Sequence, residues 1–345
     1  MSIHDEKEGL RSKLEQEQKA LVRVALFGQP GAGKSSLINK LVGRRVAEVG
    51  VETDKTVDAR DYQTDGVTFV DLPGYGTTRF PAATYWQQFD IDSFDCLLCV
   101  VSGKLQQTDV DFFNRLIEAD KACVLVVNKH DELWEEGVSI EELERRKRDD
   151  LRRQIPKARD IVFTSCRSGA NIDVLQEEIA KHLEGAKRGR WARTAKAYTV
   201  KSLNGKRAAC ERLVTIAAGV SAANGLNPIP GVDIAVDLGV LTTLFSEIRD
   251  NYGLTEKRLS ALQALPAAKG LADQVLKYAT REGLLLLLKQ FAGRQTVKEV
   301  SKYIPFVGQA VAATLGFTIT NMAGNSYLDD CHQLAKQIIE NHLEY

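Results

Sequence analysis

The most restrictive feature of this chain is eight residues long. Gly28-Gln29-Pro30-Gly31-Ala32-Gly33-Lys34-Ser35 follows an apolar run at 22–27 and precedes a helical stretch at 36–42. A strand, a glycine-rich turn and a helix in that order aim backbone N–H groups into a concavity suited to anions. Lys34 adds a positive charge for the outer phosphates of a nucleotide. Ser35 offers a hydroxyl to Mg2+, a hard cation that prefers oxygen ligands. Gly28, Gln29, Pro30, Gly31, Ala32, Gly33 and Ser36 are the remaining expected phosphate-side contacts.

A strand that feeds such a helix needs neighbours, and the sequence supplies them. Apolar runs of strand length fall at 22–28, 59–64, 67–71, 95–101, 122–127 and 160–164. Helical stretches alternate with them at 34–42, 81–89, 108–119, 139–154 and 171–183. The alternation predicts an α/β domain, a mostly parallel sheet with helices on both faces, with ligands at the carboxyl ends of its strands. Past residue 184 the strand signal stops and helices are expected to the end, one of them over 230–250, where Val232, Ala235, Val236, Gly239, Val240, Leu244 and Ile248 mark one face. A helix at 3–19, with Leu10 and Leu14 four apart, is expected to pack with that helical part. The predicted organisation is therefore 1–20, 21–184 and 185–345, in keeping with 345 residues as two domains.

Lys plus Arg number 46 and Asp plus Glu 46, so the net charge is zero and no nucleic-acid partner is expected. An apolar content of 44% can build real cores. The six cysteines are scattered in apolar runs, which resembles reduced core thiols. Cys96 and Cys99 form a C-x-x-C pair, but inside a run that reads as a buried strand. The charged N-terminus does not read as a secretory signal, so a cytoplasmic location is expected.

Three further motifs sit at predicted strand ends. Asn128-Lys129-His130-Asp131 follows the fifth strand, where a carboxylate at Asp131 can accept from the N1 and N2 donors of guanine. Adenine lacks that donor pair, and such sites discriminate by roughly 10⁴–10⁵. Asp71-Leu72-Pro73-Gly74 ends the third strand: Asp71 would hold Mg2+ through water, and the Gly74 N–H can approach a γ-phosphate because no side chain blocks it. Thr164-Ser165-Cys166 ends the sixth strand, and Ser165 and Cys166 would give backbone contacts to guanine. Together these motifs resemble the guanine-nucleotide domain of the P-loop GTPases over residues 21–184. The resemblance implies GTP and GDP with Mg2+, a Mg2+ set of Ser35, Asp71 and a switch I threonine, and a catalytic set of Lys34, Ser35, that threonine and Gly74. Thr53 and Thr56 both lie in the right interval, and Thr56 leaves the shorter lead into the second strand.

Two common aids to hydrolysis are missing. Tyr75 stands where many such enzymes have a water-orienting Gln, and Gly31 where others have a K+-recruiting Asn. Slow intrinsic hydrolysis, accelerated by a second copy or a partner, is the expectation. Arg44, Arg45, Arg60 and Arg79 are candidate charge donors.

Asp71-Leu72-Pro73-Gly74-Tyr75-Gly76-Thr77, the stretch from Asn227 to Asp237, and Ile304-Pro305-Phe306-Val307-Gly308 with Asn325-Ser326-Tyr327-Leu328-Asp329-Asp330 are together similar to the immunity-related GTPases and to bacterial GTPases with a comparable helical tail. That resemblance implies dynamin-like behaviour: GTP-dependent dimers and reversible attachment to an anionic membrane surface. The stretches 213–232 and 303–328 are uncharged, yet their Asn, Gln and Pro content favours buried helices over bilayer spans. Asp233 and Asp237 suit a helix N-terminus. The basic stretch 187–207, with Trp191 and Tyr198, could line a membrane, form a solvated hinge or touch RNA.

Overall fold

The computed structural model describes residues 3–47, 59–197, 199–224, 227–228, 235–292 and 314–340. Thr53, Thr56, Tyr198, Asp233 and residues 303–313 lie outside them. The chain divides into two compact units, residues 20–198 and residues 1–19 with 199–345.

The first unit is built on six strands: β1 Val22–Phe27, β2 Arg60–Thr64, β3 Val67–Asp71, β4 Cys96–Val101, β5 Cys123–Val127 and β6 Ile161–Phe163. Their order is β2-β3-β1-β4-β5-β6. Only the β2–β3 pair among these is antiparallel. All six residues of β4 are buried, the signature of a strand covered on both faces. Its two cysteines face opposite ways: Cys99 joins the layer of Phe112, Phe113 and Leu151, and Cys96 the layer of Leu37, Ile172 and Trp191. They cannot pair, and burial pushes both thiols well above the ordinary range.

Helices α2 Lys34–Val42, α3 Ala82–Gln88, α4 Gln107–Glu118, α5 Ile140–Gln154 and α6 Ile172–Lys181 follow the strands as the alternation predicts. A sixth, α7 Gly185–Thr194, belongs to this unit as well. The sequence placed it past the boundary at 185 because its surface is so basic. Trp191 overrides that signal: it is 2% exposed, lies 6.0 Å from Phe69 and donates its indole N–H to the Gln176 carbonyl at 3.0 Å. The unit therefore runs on to residue 198. The basic stretch also meets acceptors of the chain itself. Lys187 pairs with Asp95 at 2.5 Å, Arg188 donates to the Leu183 carbonyl at 2.7 Å, and Arg190 and Arg193 are buried.

In the second unit, α1 Ile3–Lys19 buries Leu10 and Leu14 and packs on α8 Val200–Asn224. Helices α9 Leu238–Asn251, α10 Glu256–Gln263, α11 Pro266–Tyr278, α12 Arg281–Ala292 and α13 Leu315–Glu340 follow among the described residues. Helices α8 and α13 approach closely at Gly324, where an added Cβ would lie 2.6 Å from Val214 Cγ1. The one-faced helix expected over 230–250 is corrected: Ala235–Val236 pairs with Asn227–Pro228 in a two-strand ladder, and α9 begins at Leu238. Asp237 caps it, accepting from the Gly239 and Val240 N–H groups at 3.0 and 3.2 Å. Among the described residues no helix is long and apolar enough to cross a membrane.

One buried acid makes this unit pH-sensitive. Burial pushes the Asp330 carboxyl up to about 6, against the hydrogen bond from Gln274 at 2.8 Å and with help from Asp329. Its ordinary value is 3.8, so ionising Asp330 costs more folded than unfolded. The penalty is absent below the ordinary value, grows as pH rises and is complete above about 6. Asp330→Asn keeps the acceptor and removes the charge. The variant is expected to be more stable than the parent by about 1–2 kcal/mol at neutral pH. The gap should close in thermal melts near the carboxylate's ordinary value.

Candidate functional site

Register brings the motifs together. Leu26 lies opposite Asp71, Phe27 opposite Cys99, Val101 opposite Val127, and Val127 opposite Phe163. The residues that follow, Gly28, Leu72, Asn128 and Thr164, therefore leave the sheet along one edge. Backbone bonds continue past the strands: Leu72 N–H to Leu26 O at 2.8 Å, Asn128 N–H to Val101 O at 2.7 Å, Thr164 N–H to Val127 O at 2.7 Å.

The phosphate turn depends on two glycines in particular. Gly28 has φ 126° and sits so close to β4 that a Cβ would lie 2.2 Å from Val100 O. Gly33 has φ 91°, and a Cβ there would lie 2.3 Å from Asn128 Nδ2. Nothing larger than glycine fits either place. Pro30 and Gly31 are exposed at the tip, and Ala32 is buried beneath it. Lys34 is 9% exposed and folds its ammonium back onto the turn, donating to Gly28 O at 2.9 Å and Gln29 O at 3.4 Å. Asp71 Oδ1 lies 3.8 Å from that ammonium. The Ser35 hydroxyl lies 3.5 Å from Asp71 Oδ2, which puts two hard oxygen donors side by side at the head of α2. That donor pair, next to a cradle that excludes any Cβ, fits a magnesium–phosphate group. Ser36 follows Ser35 in the first turn of α2, and Gly74 is exposed just past β3.

On the base side, Asp131 is exposed and its carboxyl is held below the usual carboxylate range. The Ser165 hydroxyl is the main cause, with Arg167 and His130 adding to it. Asp131 stays ionised at neutral pH, ready for a pair of N–H donors. Ser165 thus holds Asp131 through its side chain, beside the backbone contact expected of it. Lys129 adopts a left-handed conformation, φ 59°, beside it. Asn128 has a different task from its neighbours. It is 2% exposed and donates Nδ2 to Ala32 O at 2.9 Å. Its Oδ1 accepts from Thr164 Oγ1 at 3.3 Å and Cys166 Sγ at 3.4 Å. It joins the phosphate turn to both base-side segments.

Two features were not anticipated. Tyr75 is stacked on Phe112, centroids 4.6 Å apart, and meets Tyr85 edge-on at 5.1 Å. Tyr85, fully buried, donates to Pro73 O at 2.6 Å. The segment after Asp71 is thus anchored by an aromatic cluster. Asp109 lies on the buried face of α4 and accepts from the Gln29 side chain, whose amide also donates to Lys104 O at 2.6 Å. An acid inside the apolar stripe Val110, Phe112, Phe113, Leu116 was the available sequence signal. Of the candidate arginines, Arg44 donates to Thr64 Oγ1 at 2.8 Å and Arg79 lies over the Phe80 ring.

Residues 23–129 match the family described as 50S ribosome-binding GTPase. Over 182 residues the chain is 31% identical to GTPase Der of Nostoc punctiforme, covering 48% of this chain and 39% of Der. It is 28% identical over 177 residues to the GTP-binding protein EngB of Rhodospirillum rubrum, covering 46% and 76%. Interferon-inducible GTPase 1 of Mus musculus is 29% identical over 126 residues, 34% of this chain and 30% of that protein. Among solved structures, Era of Aquifex aeolicus bound to GDP·AlF4− aligns over 57% of this chain and 67% of its own, at 21% identity and TM-score 0.38. The chain spans about two fifths of Der's length, and what the matching descriptions share is GTP: a ribosome-binding GTPase, GTPase Der and a GTP-binding protein.

The tie made by Asn128 separates holding the nucleotide from choosing it. Asn128→Ala leaves the Ala32 carbonyl without its donor and two donors without their acceptor, a loss of about 1–3 kcal/mol for buried groups. Stopped-flow release of labelled GDP should be about 10–100-fold faster than in the parent. The preference for guanine over adenine should be kept, because Asp131 is untouched.

Proposed function

Given a P-loop GTPase domain over residues 20–198, we propose that this protein is a GTPase switched on by its own GTP-dependent self-association, in the manner of the immunity-related GTPases. The observation that carries the reading is Tyr75. Phosphoryl transfer is mostly positioning and charge stabilisation. At the place from which an amide would orient water, this chain has a phenol clamped between Phe112 and Tyr85. A clamped ring neither orients water nor swings aside. The missing group then comes from outside, and a second copy brings one at no cost in specificity.

In this reading Lys34 and the Gly28–Gly33 turn hold the phosphates, and Ser35 and Asp71 hold Mg2+. Thr56 or Thr53 would complete the metal shell in the GTP state, and the Gly74 N–H would meet the γ-phosphate. Asp131, charged and oriented by Ser165, reads the base, with Lys129 and Cys166 alongside. Attachment to a membrane is part of the family resemblance. The basic helix α7 is poor material for it, since its cations meet acceptors of the chain itself or are buried. A second reading, a monomeric switch that assists RNA–protein assembly, draws on the ribosome-binding description of the matching family.

Hydrolysis per mole of protein is expected to rise with protein concentration. Sedimentation should show a larger species with a GTP analogue than with GDP. A rate that is already fast and independent of concentration contradicts self-activation. Calorimetry with Asp131→Asn tests the base contact separately. GTP should bind more weakly and xanthosine triphosphate more tightly, because an amide N–H pairs with the extra carbonyl of xanthine. ATP bound as tightly as GTP by the parent protein defeats the whole assignment.

A further inference from the structure

We propose that Asp160, Glu178 and His182 form a binding site for a divalent transition metal of the zinc class, at the end of the sheet opposite the phosphate turn. Asp160 immediately precedes β6, and its carbonyl is fixed by the Leu125 N–H at 2.9 Å. Glu178 lies in the last turns of α6, and His182 caps that helix. Four residues apart, they share a face that looks onto Asp160. One ligand atom from each of the three lies within 4.8 Å of the other two. All three are partly buried.

The spacing fits ligands of one ion better than a hydrogen-bonded pair. His182 Nε2 lies 3.4 Å from Asp160 Oδ2 and has no hydrogen-bond partner although it is buried. A good N–H···O bond spans about 2.7–3.2 Å. Zinc bound tetrahedrally, with Zn–N and Zn–O near 2.1 Å, holds two donors about 3.4 Å apart. The charge balance points the same way. The Asp160 and Glu178 carboxylates each bring an oxygen within 4.8 Å of the other. A dication between the two carboxylates relieves their repulsion.

Lys181 is the competing cation, 2.5 Å from Glu178 Oε2. Its side chain is 67% exposed, so it can leave for water. One imidazole and two carboxylates suit zinc, cobalt or nickel better than magnesium, so the site differs in kind from the Ser35–Asp71 pair. An ion here would pin the C-terminal end of α6 to the start of β6. The inference does not depend on which nucleotide the other edge of the sheet binds.

The test is calorimetric titration of Zn2+ into the full chain, saturated with GDP and Mg2+ at neutral pH. One equivalent is expected, with micromolar or tighter affinity and a rise in melting temperature. Cobalt should give the visible absorption of a tetrahedral complex. His182→Ala and Glu178→Gln should each weaken Zn2+ about tenfold or more, since a first ligand is lost. Unchanged GDP binding in both variants shows that they fold. Affinity poorer than about 100 μM, or affinity untouched by both substitutions, overturns the proposal.

Discussion

The whole site rests on one tight approach, that of the phosphate turn to the strands beside it. A turn that aims its amides inward must use backbone conformations that only glycine holds comfortably. Such a turn has few side chains with which to anchor itself. Its neighbours do the anchoring. Val100 O stands where a Cβ of Gly28 would be, and Asn128 reaches across to Ala32. Because β4 and β5 lie parallel and in register with β1, their ends arrive at the right height to do this. The fold and the site are thus one constraint: if the register slipped, the turn would lose both its ceiling and its tether.

Much of this was legible in the sequence, and for a physical reason. Strands buried on both faces read as unbroken apolar runs, so β4 and β5 declare themselves from Cys96 to Val101 and from Cys123 to Val127. Glycines that must be glycines are visible as letters. Long-range packing is what the sequence hides. Helix α7 looked like a charged surface segment, and only Trp191 against Phe69 shows that it belongs to the sheet. Asn128 stands in one tetrapeptide with Lys129 and Asp131, and nothing in the sequence marks it as a tether. Its burial, created by Thr164 and Cys166 some forty residues away, turns it inward. Ala235 and Val236 fitted a helical period, but a period of two residues in a short ladder also fits so brief a run.

The aromatic group around Tyr75 divides the work of the domain. Its rings replace a mobile polar arm with a fixed apolar wall, so the segment after Asp71 is well placed but chemically quiet. Asp109 and Gln29 stiffen the other arm of the turn. In the reading proposed above, such a site retains and recognises its nucleotide and leaves the step that cleaves it to a group supplied later.

The outermost strand has a bearing on how copies of this protein could meet. β2, Arg60-Asp61-Tyr62-Gln63-Thr64, runs along the rim with three of its five residues exposed. A rim so charged and so short offers a poor template for another chain's strand. At this edge, sheets of two molecules are kept from fusing into a continuous ribbon. A pairing of copies across this rim would rest on side-chain contacts instead of a shared strand.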